Sequence, residues 1–298
     1  MEIAGIFPAL TTPYSEDGSV RIERFKENIG RYNKTGLSGY VVLGSTGESV
    51  LLSSAEGEAL LAAAKESAAP GKLLIAGAGA ESTAETIARC KRAANLGCDI
   101  ALVKTPYYYK PAYKSEVYLR HYRSVADASP IPVLLYSVPI FTGVALDTPE
   151  ILTLAEHPNI VGIKDSSGVI QRVVEVAAKA PASFRVLTGG AAVVYPALAG
   201  GANGAILALA SALPERCVAI YESWKSGRHG EALAQQQQLA QASKTIVSEN
   251  GIAGLKYAMD LRGYFGGVPR LPLLPLSEEK KQQVRKLVTE LEPAAVST

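Results

Sequence analysis

The stretch NIVGIKDSSG, residues 159–168, carries the signal that decides the fold. An apolar, β-branched run leads to Lys164, and a polar turn that contains glycine follows at once. This pattern is typical of a strand that is covered on both faces and reaches the surface at its carboxyl end. Because an ammonium group is costly to bury without a partner, the place of Lys164 at the end of such a strand needs a chemical explanation.

Seven further segments repeat this short apolar pattern, and amphipathic segments such as 53–69 and 83–97 lie between them. Strands that alternate with helices pair in parallel, and about eight such units close a (β/α)8 TIM barrel. The pattern alone leaves a doubly wound open sheet as the alternative. The seven segments are GIFPAL (5–10), GYVVLG (39–44), KLLIAG (72–77), DIALVKT (99–105), IPVLLYS (131–137), FRVLTG (184–189) and GAILALA (204–210).

The remainder of the chain has a different pattern. After Ser211 the strand-like runs stop, and four helix-like segments follow, beginning with ERCVAIYESWKSG at 215–227. We therefore predict an α/β protein with two parts. Residues 1–225 form the barrel with the catalytic site, and residues 226–298 form a C-terminal helical extension.

Composition and charge exclude several classes of function. The formal net charge is +2 over 298 residues, without a long basic run, which argues against nucleic-acid binding and electrostatic membrane binding. No segment approaches the roughly 18 apolar residues of a membrane span, and the N-terminus lacks a presequence pattern. Cys90, Cys98 and Cys217 show neither CxxC nor zinc spacing, so we expect reduced core residues and a cytoplasmic protein.

The carboxyl ends of the predicted strands are where a barrel of this kind places its working groups. Hydroxyls, glycines, tyrosines and lysines follow the strands there, in GSTGES, KTPYYYKP, YSVPIFTG, KDSSG and TGG. His121, His157 and His229 fall elsewhere and are expected to be structural or solvated. A Ser-His-Asp triad and a zinc-binding helix therefore have no support, and GAGAES at 77–82 lacks the lysine of a Walker loop.

Lysine is the remaining candidate for the chemistry. A lysine that is desolvated at the mouth of a barrel is disfavoured in its charged form, and its free amine can attack a ketone to form a Schiff base. The iminium accepts electrons, so a neighbouring C–C bond can break without a metal or cofactor, and a tyrosine can move the proton. The pattern does not decide whether Lys164 or Lys104 is the Schiff-base lysine, and it also fits lysines whose side chains merely extend to solvent.

Four motifs taken together resemble the dihydrodipicolinate synthase / N-acetylneuraminate lyase family of pyruvate-dependent class I aldolases. They are GSTGES (44–49), TPYYY (105–109), YSVPIFTG (136–143) and GIKDSSG (162–168), in the family's order on the expected strands. The resemblance spans essentially the whole chain. It implies a lyase without cofactor or metal, with pyruvate and an aldehyde as small-molecule partners and a homotetramer built as a dimer of dimers.

The resemblance also assigns residues. Lys164 matches the Schiff-base lysine, which selects it over Lys104, and Tyr136 matches the tyrosine that relays protons. Ser45 and Thr46 fall where the family binds the pyruvate carboxylate, and Thr46 joins the relay. Tyr108 aligns with a tyrosine that crosses a subunit interface in family tetramers.

Further positions shape the predicted pocket. Gly189 and Ile206 match positions whose backbone carbonyls line it, and Ser166 matches a serine that holds the far carboxylate of the substrate. Phe141 stands where dihydrodipicolinate synthases carry an arginine for the carboxylate of the aldehyde, and a neutral aromatic ring cannot form that bidentate pair. The residues that bind feedback lysine in many of those enzymes are replaced, by Ser54, Gly57 and Glu81.

The resemblance is greatest to 4-hydroxy-2-oxoglutarate aldolases, in the form YSVP (136–139) and in the stretches HPNIVGIKDSSG (157–168) and GIAGLKYAMDLRGYFGG (251–267). We therefore expect cleavage of 4-hydroxy-2-oxoglutarate to pyruvate and glyoxylate. The alternative is a 4-hydroxy-tetrahydrodipicolinate synthase, which condenses pyruvate with aspartate semialdehyde. A hydratase-aldolase, a keto-deoxy sugar acid aldolase and a non-catalytic ligand-binding barrel also stay open.

Overall fold

Eight strands form the centre of the protein. The computed structural model describes residues 2–291, and each of the eight predicted apolar runs contains one strand. The strands are β1 (Gly5–Pro8), β2 (Gly39–Val42), β3 (Leu73–Gly77), β4 (Ile100–Lys104), β5 (Val133–Ser137), β6 (Ile160–Asp165), β7 (Arg185–Thr188) and β8 (Gly204–Leu207).

The strand order shows a barrel. All ladder pairs are parallel and follow the order β1-β8-β7-β6-β5-β4-β3-β2. The ends of this order meet, because Ala9 bridges Val41 in parallel and the Leu10 N–H donates to the Val41 carbonyl at 2.9 Å. This order excludes the doubly wound open sheet, in which two edge strands would lie far apart. The predicted (β/α)8 barrel is confirmed.

The barrel interior is filled by side chains from alternate strand positions, as the two-residue period of a strand requires. Phe7, Val41, Ile75, Leu134 and Leu187 are all fully buried in this inner cluster. Every strand therefore presents apolar residues inward and packs its other face against helices. This two-sided burial explains why the runs are continuously apolar rather than alternating.

Twelve helices surround and extend the barrel within residues 2–291. Ser53 and Glu56 form a capping box that starts the second helix, and Ser82 caps the third, so side chains satisfy the free N–H groups of these first turns. The helices are α1 (Ile22–Tyr32), α2 (Ser54–Ser67), α3 (Thr83–Asn95), α4 (Ser115–Ala128), α5 (Pro139–Thr142), α6 (Thr148–Ala155), α7 (Ile170–Lys179), α8 (Val194–Ala199), α9 (Pro214–Lys225), α10 (His229–Ala242), α11 (Gly251–Leu261) and α12 (Glu278–Glu290).

The C-terminal helices share a core with the barrel. Leu239, Ile246, Leu255 and Val284 belong to the same buried cluster as Ile6 of β1. The boundary predicted at residue 225 coincides with the end of α9, and the division into 1–225 and 226–298 stays a prediction. Residues 1 and 292–298 of those two ranges lie outside the described residues.

Two composition-based expectations can be compared with the structure. Cys90, Cys98 and Cys217 are free and buried, as expected for reduced core residues. Across residues 2–291 no helix is both long enough and apolar enough to cross a membrane.

Candidate active site

A cavity of about 740 Å³ opens at the carboxyl ends of the strands. Lys104, Tyr136 and Lys164 are consecutive register partners on β4, β5 and β6, so their side chains extend from the same row of the sheet, and all three line the cavity. Of the residues singled out in the sequence, the structure brings these to the cavity: Ser45, Thr46, Ser54, Gly57, Lys104, Tyr107, Tyr136, Phe141, Lys164, Ser166, Gly189 and Ile206.

Lys164 lies at the bottom of this cavity and is 4% exposed. Its Nζ lies 4.2 Å from the centroid of the Tyr136 ring, a distance at which an ammonium is attracted to an aromatic face. Tyr136 is itself buried. Lys164 therefore faces the cavity rather than bulk water.

The charge of Lys164 acts on Tyr136. Burial raises the pKa of Tyr136, but the nearby Lys164 ammonium and a hydrogen bond with Ser45 outweigh this effect, so the pKa lies below its ordinary value. The Ser45 Oγ lies 3.5 Å from the Tyr136 hydroxyl. A tyrosine with a lowered pKa exchanges its proton more readily near neutral pH.

The turn after β2 holds the two hydroxyl residues predicted to bind a carboxylate. Ser45 and Thr46 begin a short 3₁₀ turn, Ser45–Gly47, and N–H groups at the start of such a turn have no acceptor within it. Thr46 was predicted to join the relay, but within residues 2–291 the turn hydroxyl that hydrogen-bonds Tyr136 belongs to Ser45. The Thr12 hydroxyl, in the segment that follows β1, donates to the Gly47 carbonyl at 2.6 Å and stabilises the turn.

Glu48 ends this turn in the left-handed conformation, with φ of 54°, which is uncommon for a residue other than glycine. Its carboxylate forms an ion pair of 2.6 Å with Lys256 of α11, and both side chains are 1% exposed. The backbone N–H of Arg270 also donates to Glu48, at 2.8 Å. Lys256 in turn donates to the Val268 carbonyl at 2.7 Å. The C-terminal region therefore holds the turn in place.

This contact between Glu48 and Lys256 was not predictable from the sequence. The only local signal was a lysine in the middle of the otherwise apolar run GIAGLKYAM, because a lysine at a buried helix position needs a carboxylate or carbonyl partner. Nothing in the local pattern could identify Glu48, 208 positions earlier, as that partner.

Ser166 and Gly189 pack against each other at the ends of β6 and β7. The Gly189 N–H donates to the Asp165 carbonyl at 2.7 Å, and a Cβ added at Gly189 would lie 1.8 Å from the Ser166 Oγ. Only glycine leaves room for the Ser166 hydroxyl beside the cavity. Ile206 of β8 is fully buried beneath them.

The loop after β5 brings apolar side chains to the cavity mouth. Ile140 and Phe141 lie in the short helix α5 and are 81% and 65% exposed. Both line the cavity. This loop therefore presents an aliphatic and an aromatic side chain to the cavity mouth, and residues 138–144 contain no cationic side chain.

The tyrosines after β4 are divided between the cavity and the surface. Tyr107 lines the cavity, whereas Tyr108 and Tyr109 are 72% and 67% exposed and do not line it. Glu81 accepts the backbone N–H groups of Tyr107 and Tyr108, at 3.0 and 2.8 Å, and so fixes this loop. The role of Tyr108 across a subunit interface stays a prediction.

The histidines lie away from the cavity, as expected from the sequence. His121 is buried, and its Nδ1 lies 2.9 Å from the Thr83 hydroxyl. His157 Nε2 lies 3.0 Å from a carboxylate oxygen of Asp127, and His229 begins α10.

Comparison with known proteins identifies the family. A family model described as the dihydrodipicolinate synthetase family matches residues 2–291. The chain belongs to this family. A 4-hydroxy-tetrahydrodipicolinate synthase from an Exiguobacterium strain is 38% identical over 273 residues, which cover 92% of each protein. Further relatives with that name, including one from Methanothrix thermoacetophila, are 34–36% identical.

Solved structures of the dihydrodipicolinate synthetase family agree with this fold. A dihydrodipicolinate synthase from Bacillus anthracis has a TM-score of 0.94 at 27% identity and covers 98% of this chain and 100% of its own. The chloride-inhibited enzyme from Acinetobacter baumannii, solved with pyruvate, has a TM-score of 0.92 at 30% identity and covers 97% and 99%.

The family assignment settles the class of the protein. It is a lyase, a pyruvate-dependent aldolase of the dihydrodipicolinate synthetase family. The relatives carry the name of the reaction that the sequence analysis placed second. Cleavage of 4-hydroxy-2-oxoglutarate and the individual roles of the site residues stay predictions.

Proposed function

We propose that Lys164 carries the reaction by forming an iminium with the keto group of a 2-oxo acid. The observation that supports this most directly is the position of its Nζ, buried in the cavity and 4.2 Å from the Tyr136 ring. The amine attacks C2 of the substrate, and loss of water leaves the iminium. The turn that starts at Ser45 then holds the C1 carboxylate through its free N–H groups.

The iminium accepts the electron pair of the bond that breaks. In the cleavage direction Tyr136, in its phenolate form, removes the proton of the 4-hydroxyl, the C3–C4 bond breaks, and its electrons move into an enamine on Lys164 as the aldehyde leaves. Tyr136 then returns this proton to C3 of the enamine, and hydrolysis by water releases pyruvate and restores the amine and the phenolate. In the condensation direction the same steps run in reverse, with Tyr136 returning the proton to the aldehyde oxygen.

Two aldehydes are candidates for the second substrate. The names of relatives at 34–38% identity support aspartate semialdehyde and a 4-hydroxy-tetrahydrodipicolinate synthase. The resemblance to 4-hydroxy-2-oxoglutarate aldolases supports glyoxylate. The loop after β5, with its exposed Phe141 ring and no cation, departs from the arginine that the resemblance to a dihydrodipicolinate synthase would require. Ser166 lines the same cavity and is available to a distal carboxylate in either case.

A pair of assays on the purified protein distinguishes the two reactions. Pyruvate and aspartate semialdehyde are supplied in one assay, with product formation as readout, and 4-hydroxy-2-oxoglutarate is supplied in the other, with pyruvate release as readout. The larger kcat/KM identifies the aldehyde. Lys164→Ala is the control for both, and turnover by this variant would contradict the proposed mechanism.

A further inference from the structure

Lys104 is a second lysine at the bottom of the same cavity, and the steps proposed for Lys164 do not use it. It is the last residue of β4, and its register partner on β5 is Tyr136, whose partner on β6 is Lys164. Neighbouring strands lie about 4.8 Å apart, so the Cα atoms of the two lysines are separated by roughly 10 Å. A substrate of five to seven carbon atoms can span the region between two such side chains.

The Lys104 ammonium has few partners. Its Nζ donates to the Gly79 carbonyl at 3.3 Å and lies 5.1 Å from the centroid of the Tyr107 ring. Within residues 2–291 no carboxylate oxygen lies within ion-pair distance of it. Glu81 is the carboxylate whose charge acts on Lys104, and it already accepts hydrogen bonds from two backbone N–H groups.

The other cations that border the cavity differ from Lys104 in this respect. Arg89 is paired with Glu85 at 3.0 Å. Arg92 is paired with Glu85 at 2.6 Å and with Glu58 at 3.4 Å. Lys104 is half-buried and, unlike these two arginines, forms no ion pair among the described residues. Its pKa is lowered, mainly by burial.

Both reactions considered above place a second carboxylate in the cavity. Ser45 and its turn account for the first carboxylate, and the loop at Phe141 provides no cation for the second. We propose that Lys104 binds this second carboxylate and so selects 2-oxo dicarboxylates as ligands. This inference rests on the proposed function for the identity of the substrate.

Binding of matched ligands tests this selectivity without requiring turnover. The probes are 2-oxoglutarate against 2-oxopentanoate, and 2-oxoheptanedioate against 2-oxoheptanoate, which differ only in a terminal carboxylate or methyl group. Dissociation constants are measured by calorimetry on the full chain. We expect the wild type to bind the dicarboxylate about tenfold or more tightly than its monocarboxylate partner at one chain length at least, because a hydrogen bond between two charged groups is stronger than a contact with a methyl group.

Variants at position 104 identify the residue responsible. We expect Lys104→Met and Lys104→Gln to lose this preference, Lys104→Arg to retain most of it, and the paired cation variant Arg89→Met to keep it. Two variants that remove the charge are used so that one folded protein suffices, with circular dichroism as the check. A wild type without preference, or a preference that survives in the charge-free variants, would overturn the proposal.

A separate readout keeps the two proposals apart. Borohydride reduction with pyruvate reports on the imine at Lys164 and does not involve a second carboxylate. A wild type that forms no adduct but shows the Lys104-dependent preference would refute the aldolase mechanism and support the anion site. An adduct in the wild type, together with an unchanged preference for dicarboxylates in Lys104→Met, would support the aldolase mechanism and refute the anion site at Lys104.

Discussion

The hydroxyl of Tyr136 is the group whose removal tests the proton transfer most cleanly. Tyr136→Phe keeps the ring beside the Lys164 ammonium and removes only the oxygen near Ser45. Because positioned proton transfer contributes typically 10²- to 10⁴-fold, we expect kcat to fall by about that factor. Steady-state kinetics measures it, with Tyr107→Phe as the matched control from the same cavity. Near-wild-type turnover by Tyr136→Phe would show that another group moves the proton.

His121 makes folding depend on pH. Burial, opposed weakly by Glu81, lowers its pKa from 6.5 to about 4. The folded protein therefore binds this proton less readily than the unfolded chain. We therefore expect His121 to leave the free energy of unfolding unchanged above about pH 6.5 and to lower it by about 3 kcal/mol as the pH drops from 6.5 to 4.

Denaturant titrations between pH 4 and 8 measure this loss. In His121→Gln the amide can still form a hydrogen bond with the Thr83 hydroxyl. We expect the free energy of unfolding of this variant to change less steeply with pH between 4 and 6.5, by a slope that corresponds to at most one bound proton. Identical pH profiles for the two proteins would mean that His121 is not buried in its neutral form.

At the scale of elements, the eight strands were predictable because each is a continuous apolar run covered on both faces. Lys164 and Tyr136 could be placed as well, because residues at strand ends must face the barrel mouth. The contact between Glu48 and Lys256 could not, since it joins a turn after β2 to α11 and no local pattern encodes that distance. The hydrogen bond of Tyr136 with Ser45 rather than Thr46 likewise depends on turn geometry that the amino-acid sequence does not show.

The Glu48–Lys256 ion pair makes a testable contribution to the turn after β2. Lys256→Met leaves the Glu48 carboxylate buried without its ammonium partner, and breaking a buried pair in this way costs about 3–5 kcal/mol. We expect that loss in the free energy of unfolding. We also expect a higher KM for pyruvate, because the turn that begins at Ser45 is less well held.

A double variant provides the control for this element. Glu48→Gln combined with Lys256→Met removes both charges and keeps an acceptor for the Arg270 N–H. Most of the lost stability should return in chemical denaturation. A single variant that loses less than about 1 kcal/mol would contradict the role of the pair.

At the scale of the whole molecule, the C-terminal helices and the barrel act together. Helices α10 to α12 contribute to the core that surrounds β1, and α11 supports the turn after β2 through Lys256. The tetramer was expected from the resemblance alone. The exposed rings of Tyr108 and Tyr109 agree with a contact to a second copy.

Subunit mixing tests whether Tyr108 acts across an interface. Lys164→Ala is expected to be inactive, because it cannot form the imine, and Tyr108→Phe is expected to be weakly active. A hybrid assembly contains sites that combine Lys164 of one subunit with Tyr108 of the other. We expect mixtures that have been dissociated and reassembled to regain activity that neither parent shows. A mixture no more active than the average of its parents would place Tyr108 outside the site.

The imine on Lys164 is the central claim, and one measurement addresses it directly. Wild-type protein is reduced with borohydride in the presence of pyruvate, digested and mapped by mass spectrometry, with Lys164→Ala treated in parallel. We predict a single pyruvate adduct on the peptide that contains Lys164, and none in the variant. An adduct on Lys104, or no adduct in the wild type, would contradict the mechanism.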